Sequence, residues 1–170
     1  MLITAAQWNM RLENEYKAMQ AFPFNSLFSW KTAGGQNAPR VTAYVVTYSG
    51  KTVVAGDGGS EVRNQKTEVT ITMPSSPGGS PAAAVTGGSI PFLPNVYKTG
   101  EICLGSMWYK DPILWKLVVN IGKLLAADPS VTDLNSPANE YARDDWIRRQ
   151  RGGTRSYPCG NVDFPHPVGY

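Results

Sequence analysis

The sequence is poor in the residues that build disulfide frameworks and metal sites. Among its 170 residues there are two cysteines, Cys103 and Cys159, and one histidine, His166. Two cysteines make no disulfide framework, and with a single histidine they do not complete a zinc site. The sequence therefore predicts no metal, and none of its motifs calls for another cofactor.

Long apolar runs and a strong charge bias are missing as well. No stretch approaches the roughly 18 consecutive apolar residues of a membrane-spanning helix, and Met1–Met10 lacks the basic leader and apolar core of a targeting signal. The net charge of +3 is too small to indicate nucleic-acid binding. We therefore expect a cytoplasmic protein with neither a membrane nor a nucleic acid as partner.

Two segments have the apolar spacing of amphipathic helices, and a third, shorter helix is predicted after them. The first should end before Pro23, which a helix interior excludes. For the second, Asp111 suits the N-cap and Pro112 the first helical position. The third is predicted from about Asn135 to Trp146. The apolar positions of the first two helices are Trp8, Leu12, Tyr16 and Met19, and Ile113, Leu114, Leu117, Val118, Ile121, Leu124 and Leu125.

Strand patterns lie between the first two helices. Residues 41–48 are rich in β-branched and aromatic side chains, 51–55 continue this pattern after a Ser-Gly pair, and 69–73 alternate apolar residues with threonine. Short connections predict an antiparallel meander. Residues 74–94, rich in proline and glycine, predict a long irregular loop. Because strands and helices are segregated along the chain, the predicted fold class is α+β.

Cys103 follows the irregular loop and is therefore a candidate nucleophile. A cysteine in a special loop of a cytosolic chain can be one, although free cysteine is also commonly a buried small apolar residue. A cysteine protease would need a histidine beside the sulfur, whereas His166 lies far along the chain. Cys159 could be a second acceptor, a disulfide partner or an inert side chain.

A set of short motifs around Cys103 agrees with one known family in order and spacing. Asn95 precedes Cys103 by eight residues, and Gly100, Ile102 and Leu104 complete the motif. This pattern resembles the catalytic half of ubiquitin-conjugating enzymes, and the resemblance covers residues from about 10 to 146. Further family positions matched in order are Trp108, Pro112, Leu124-Leu125, Asp128-Pro129 and Asn135 to Ala138.

The resemblance implies an antiparallel meander flanked by an N-terminal helix and C-terminal helices, with the last helices of the family missing. It divides the chain into a catalytic domain, 1–147, and a tail rich in arginine, glycine and proline, 148–170. The tail would be a loop or a docked extension. The exposed face of the first helix, with Arg11 and Lys17, would help to engage an activating enzyme.

The resemblance also implies a chemistry. Cys103 would accept a ubiquitin-like modifier from the activating enzyme as a thioester and pass it to an amine of a target protein. Asn95 would stabilise the oxyanion or position the loop. Asp133 would orient the incoming lysine or favour its neutral form. Tyr97, Trp108 and Tyr141 are expected to pack rather than react.

Some positions depart from the family pattern. Leu93 stands where the family has a histidine that braces the active-site loop, so the bracing must be apolar here. Gly78 and Gly79 occupy the place of the aromatic residue that many members present to RING-type ligases, which argues against such docking. A version of the family fold without its last helices resembles the conjugating enzymes of bacterial ubiquitin-like operons, some of them linked to phage defence.

An inactive family variant is the alternative interpretation. Such a variant would bind a modifier or a target as a scaffold without carrying a thioester. Retention of Cys103 within the motif argues against it, because inactive variants usually lose that residue.

Overall fold

Four antiparallel strands form a meander in which each strand pairs with the next one along the chain. The computed structural model describes residues 3–151 and 164–170. The longer elements are α1 (Ala5–Gln20), β1 (Phe28–Thr32), β2 (Ala43–Gly56), β3 (Gly59–Thr72), β4 (Ala82–Gly87), α2 (Met107–Lys110), α3 (Leu114–Leu125) and α4 (Glu140–Arg151). Short 3₁₀ turns lie at Ala33–Gly35 and Pro129–Val131.

Helix α1 forms where its apolar stripe predicts. Thr4 caps it, accepting a hydrogen bond from the Gln7 amide while the Gln7 side chain accepts one from the Thr4 amide. The inner face packs on the sheet, where the Tyr16 ring meets the edge of Trp30 on β1 at a centroid distance of 6.2 Å. The helix ends at Gln20, before Pro23, as predicted.

The sheet is longer than the sequence patterns indicate. Strand β2 continues through Ser49 and Gly50, which pair with Lys66 and Gln65 of β3, so the predicted break between 41–48 and 51–55 is wrong. Strand β3 begins ten residues before the predicted 69–73, at Gly59. The first half of β3 is polar and mostly solvent-exposed, and the unbroken ladder with β2 holds it in place.

Two further strands carry no strong sequence signal. Strand β1 is five residues long and covers the outer edge of β2. Strand β4 lies inside the segment 74–94 that was predicted to be irregular, which corrects that prediction for residues 82–87. Alanine has little preference for strands, but here the alanine run pairs with β3 on one side and with the segment before Cys103 on the other.

The two long C-terminal helices begin later than predicted. Asp111 is not the N-cap of α3, because the helix starts at Leu114 and the Asp111 carboxylate instead pairs with Lys116. The cap position, Ile113, has no capping side chain of its own. Helix α4 starts at Glu140 rather than near 135, and the side chain of Asn139 accepts a hydrogen bond from the Ala142 amide. It continues past Trp146 to Arg151, so it crosses the predicted domain boundary at 147, and the division at that residue stays a prediction.

The last seven residues dock onto the sheet and the helices. Phe164 is buried, with its ring edge-on to Tyr48 at 6.0 Å. Gly122 of α3 makes room for both rings, since a Cβ there would lie 2.8 Å from Phe164 and 2.9 Å from Tyr48. The Val168 amide donates to the carbonyl of Ala21, just beyond α1. Residues 164–170 are therefore a docked extension, one of the two predicted possibilities.

The described C-terminal residues should contribute strongly to stability. Phe164→Ala is expected to lower the free energy of unfolding by about 3–5 kcal/mol, because it empties a buried aromatic site. Chemical denaturation followed by circular dichroism measures the change. Val168→Ala, an exposed neighbour in the same segment, is the matched control and should cost far less. Equal losses for the two variants would contradict the docked arrangement.

In residues 3–151 and 164–170, no helix combines the length and the apolar character needed to cross a membrane.

Candidate active site

Cys103 lies at the end of a small hairpin. Val96 bridges to Ile102, and the Tyr97 amide donates to the Glu101 carbonyl at 2.8 Å. The hairpin extends the sheet, because the Ile102 amide donates to Ala83 of β4 at 2.9 Å. Cys103 is partly exposed and carries a free thiol. The sheet thus fixes the backbone directly before a thiol that solvent can reach.

Gly100 allows the hairpin to lie close to β4. Its φ of +97° is unfavourable for residues with a side chain. A Cβ at this position would also lie 3.2 Å from the Val85 carbonyl oxygen, because the Val85 amide donates a hydrogen bond to the Gly100 carbonyl at 2.8 Å and holds the two backbones together. The glycine of the sequence motif is therefore required by the backbone geometry.

Asn95 joins the cysteine to the loop that carries Asp133. Its backbone carbonyl accepts a hydrogen bond from the Cys103 amide at 2.8 Å. Its side chain is buried, and its Oδ1 accepts from the Asp133 amide at 2.9 Å while its Nδ2 donates to the Asp133 carbonyl at 3.1 Å. The structure therefore brings all three predicted site residues together, with Asn95 at the centre.

The side-chain amide of Asn95 retains some donor capacity. Its Nδ2 has two hydrogens, and the bond to the Asp133 carbonyl uses one of them. That bond leaves the second hydrogen of Asn95 for another acceptor. Asn95 is thus built into the loop and still has donor capacity, so both roles predicted for it are chemically possible in one side chain.

The Asp133 carboxylate is exposed and organises its own turn. Its Oδ1 accepts from the amide of Asn135 at 2.8 Å and from that of Ser136 at 3.3 Å. An ionised carboxylate can accept about four hydrogen bonds, so capacity remains for a ligand. The residue borders a mostly polar cleft of about 380 Å³ between α2, α3 and the 129–131 turn.

Two residues that depart from the family pattern, Leu93 and Gly79, lie in different surroundings. Leu93 is buried in the hydrophobic core, as apolar bracing of the active-site loop requires. Gly79 lies in the connection from β3 to β4, where a Cβ would come within 2.7 Å of the Pro74 side chain. A larger side chain at 79 would force this turn to shift. The absence of RING-type docking stays a prediction.

The aromatic residues around the motif differ in their surroundings. Trp108 is buried. The prediction that Tyr97 and Tyr141 pack is wrong, since they are 42% and 70% exposed. The Lys98 ammonium lies 4.6 Å from the centre of the Tyr141 ring. Tyr97, Lys98 and Tyr141 therefore form an exposed rim and are not part of the core.

Arg11 does not belong to the exposed face of α1, where the sequence pattern placed it. Its guanidinium lies 5.5 Å from the ring centre of Trp8 and 5.7 Å from that of Trp108, and it donates to the Pro112 carbonyl. Lys17, by contrast, is exposed and pairs with a neighbouring glutamate. The sequence pattern of α1 does not reveal this position of Arg11, because Trp108 and Pro112 lie about a hundred residues further along the chain.

Glu15 is a buried carboxylate, and the sequence pattern of α1 did not predict its burial. Its Oε2 accepts from the Leu114 amide at 3.0 Å, and its Oε1 lies 3.9 Å from the Nε of Arg11. Burial raises the pKa of Glu15 above its ordinary value of 4.5, although the Leu114 amide and the charge of Arg11 oppose that rise.

Glu15 should make stability depend on pH. Because its pKa is higher in the folded than in the unfolded chain, stability contributed by the bound proton is present below about pH 4.5 and is lost as pH rises through the folded pKa. We expect the free energy of unfolding of the wild type to fall across this window relative to Glu15→Gln. Urea titrations from pH 4 to 8 measure the difference, with Glu13→Gln as the exposed control on the same helix. A difference that stays flat or rises with pH would contradict this expectation.

The histidine is engaged away from the cysteine loop. His166 lies edge-on to Trp115 of α3 at 5.7 Å. Cys159 falls outside the described residues. Within 3–151 and 164–170, histidines, cysteines and carboxylates form no cluster of three or more that could hold a metal ion.

The architecture is that of the ubiquitin-conjugating, or E2, fold. This is an α+β arrangement with a four-stranded meander, an N-terminal helix and helices after the cysteine. A solved structure similar to this chain is the E2 domain of a Toxoplasma gondii ubiquitin conjugating enzyme, with a TM-score of 0.53 and 16% sequence identity over 85% of this chain and 89% of that one. No family model and no curated protein matches the sequence. The likeness shows the fold, and residue roles rest on the geometry above.

Proposed function

We propose that this chain is a ubiquitin-conjugating-type acyltransferase that carries a modifier on Cys103. The observation that supports it best is the pairing of Asn95 with both Cys103 and Asp133 within an E2 fold. The partners are an activating enzyme, a ubiquitin-like modifier and a target protein. No metal or other cofactor takes part.

Loading is a thioester exchange. The Cys103 thiolate attacks the carbonyl carbon of the modifier's C-terminal thioester, a new C–S bond forms, and the thiolate of the activating enzyme leaves. The two thioesters are similar in energy, so the step needs little driving force. This chemistry suits a cysteine without a histidine partner, which fits the position of His166 against Trp115.

Discharge transfers the acyl group to nitrogen. A neutral amine attacks the carbonyl carbon of the Cys103 thioester, and a C–N bond forms in a tetrahedral oxyanion. The new nitrogen substituent loses a proton to solvent, the C–S bond breaks, and Cys103 leaves as a thiolate while the amide product is released. Asn95 supplies the donor for the oxyanion and holds the loop. Asp133 orients the incoming lysine and accepts its proton as a general base, which leaves the amine neutral. The exposed rim of Tyr97, Lys98 and Tyr141 faces solvent, where a protein substrate can reach it.

The setting we propose is a bacterial conjugation system, with a role in defence against phage, in the cytoplasm. The resemblance of the sequence to the conjugating enzymes of bacterial operons motivates this proposal. Genomic neighbours test it directly: an adenylating enzyme and a β-grasp protein encoded beside this chain are expected. Neighbours unrelated to conjugation, in every genome that encodes a close homologue, would contradict it.

The role of Asp133 is testable with a small amine, without knowledge of the target. Asp133→Ala should slow the discharge of a Cys103 thioester to free lysine by about tenfold or more, mainly below pH 9, where lysine with its pKa near 10.4 is mostly protonated. Single-turnover thioester decay from pH 7 to 10 measures this.

Asp133→Asn is the matched control for the turn. It keeps the oxygen that accepts from the amides of Asn135 and Ser136 but removes the charge. The proposal expects Asp133→Asn to be as slow as Asp133→Ala. Wild-type rates for Asp133→Asn would show that the turn matters and the charge does not.

A further inference from the structure

Arg11 of α1 holds the segment that follows the active-site cysteine. Its guanidinium lies over Trp108, five residues after Cys103, and donates to the Pro112 carbonyl. Arginine can stack on an aromatic face and donate hydrogen bonds from its edge at the same time. One side chain therefore contacts both ends of the segment 108–112.

Glu15 holds the next residues along the same segment. The start of α3 has no capping side chain of its own at Ile113. Glu15, one turn after Arg11 on α1, supplies that cap through its hydrogen bond with the Leu114 amide. A carboxylate at a helix N-terminus is favourable, and this one is 8% exposed, so it is a built contact and not a surface coincidence.

The two sides of Cys103 are thus anchored to different elements. On the upstream side the hairpin is hydrogen-bonded to β4, and the Cys103 amide is bonded to Asn95. On the downstream side the Met107 amide donates a hydrogen bond to the Leu104 carbonyl. Trp108, the next residue and part of α2, has its ring beneath Arg11. The position of the cysteine depends on both anchors, and the second belongs to α1.

We propose that Arg11 and Glu15 are positioning residues for Cys103, coupling the placement of α1 to the placement of the reactive thiol. The proposal rests on the proposed function for its consequence in acyl transfer. It predicts that changes at Arg11 act on the chemistry of Cys103 itself and not only on recognition at the surface of α1.

The test compares Arg11→Ala with two controls. Lys17→Ala removes an exposed cation from the same helix. Gly122→Ala disturbs the packing of Phe164 and Tyr48 and so controls for a general loss of stability. Two measurements need no partner protein: hydrogen exchange of the amides from Leu104 to Leu114, and the rate at which iodoacetamide alkylates Cys103, read by peptide mass spectrometry so that Cys159 is resolved.

Arg11→Ala should raise exchange in 104–114 by about tenfold or more, because hydrogen bonds to charged groups are among the stronger ones and local opening follows their loss. It should also change the alkylation rate of Cys103. Glu15→Gln keeps an acceptor for the Leu114 amide and should have a smaller effect than Glu15→Ala. Lys17→Ala should leave both measurements at wild-type values.

Unchanged exchange and alkylation in Arg11→Ala would overturn the proposal. So would equal changes in Gly122→Ala, since the effect would then be general destabilisation. A wild-type protein that never forms a thioester would refute the proposed function alone, because exchange and alkylation still decide whether Arg11 and Glu15 position the cysteine.

Discussion

Replacement of Cys103 by alanine is expected to abolish modifier transfer, whereas replacement by serine should trap an adduct. Loss of a nucleophile costs enzymes up to about 10⁶ in rate. A serine hydroxyl can still accept the acyl group slowly, and the resulting oxyester resists thiols that cleave a thioester. Non-reducing and reducing gels of reactions with an activating enzyme, its modifier and ATP distinguish the two adducts.

Cys159→Ser is the matched control for this prediction. It removes the other thiol of the chain and should leave the thiol-sensitive adduct at wild-type levels. An adduct that survives Cys103→Ala and disappears in Cys159→Ser would show that Cys159, and not Cys103, carries the modifier. Full target modification by Cys103→Ala would favour a scaffold that binds the modifier without carrying it.

Replacement of Asn95 by alanine should separate the two acyl transfers. Loading exchanges one thioester for another, and the activating enzyme can impose much of its geometry. Discharge to an amine develops more negative charge on oxygen, so loss of the Asn95 donor should slow it by about 10²-fold, or about 3 kcal/mol. The variant is expected to form the Cys103 thioester at near-normal speed and then hold it. Single-turnover decay with free lysine, after the activating enzyme is quenched, measures this.

Asn95 also has a structural role in the loop, which the experiment must distinguish from its role as a donor. The Asn95 side chain also joins two loops through the Asp133 backbone, so Asn95→Ala leaves the Asp133 amide without its acceptor. Because the pair is only partly buried, the loss should cost about 1 kcal/mol of stability, as for an ordinary hydrogen bond. Asn95→Asp keeps the acceptor oxygen but has no donor hydrogens, and it should discharge as slowly as alanine if the donor matters. Equal slowing of loading and decay would indicate loop bracing, and normal decay would reduce Asn95 to a turn residue.

The elements that the sequence predicted well are those with local, periodic signals. The apolar stripes of α1 and α3 are confirmed, because most of their apolar residues are buried in the hydrophobic core. The residues around Cys103 were found from their order and spacing, and the E2 fold they imply is confirmed. These signals lie within a few turns or a short motif, where a single sequence is most informative.

The elements that were missed depend on partners far along the chain. Strand β4 is an alanine run that pairs on both edges, and no local preference marks it. Gly50 interrupts a strand pattern, yet the ladder with β3 passes through it. The start of α3 was placed at Asp111 because that residue is a good cap, whereas the actual cap is Glu15 of another helix, 99 residues away.

The candidate site shows the same division. Cys103 and Asn95 were predicted from the motif, and Asp133 from the family resemblance. The hydrogen bonds between Asn95 and Asp133 span 38 residues and are visible only in the fold. Arg11 was assigned to the surface because it lies off the apolar stripe of α1. Its long side chain instead covers Trp108, a contact that helical spacing does not describe.

The most direct test of the account is the mass and location of the acyl adduct on the wild-type protein. The chain is incubated with ATP and with the activating enzyme and β-grasp modifier encoded in its own genome, then analysed intact and after digestion without reductant. The account predicts a species heavier by one modifier minus one water, released by thiols and mapped to the peptide that contains Cys103. No such adduct with an activating enzyme that has itself been charged, or an adduct mapped to another residue, would contradict it.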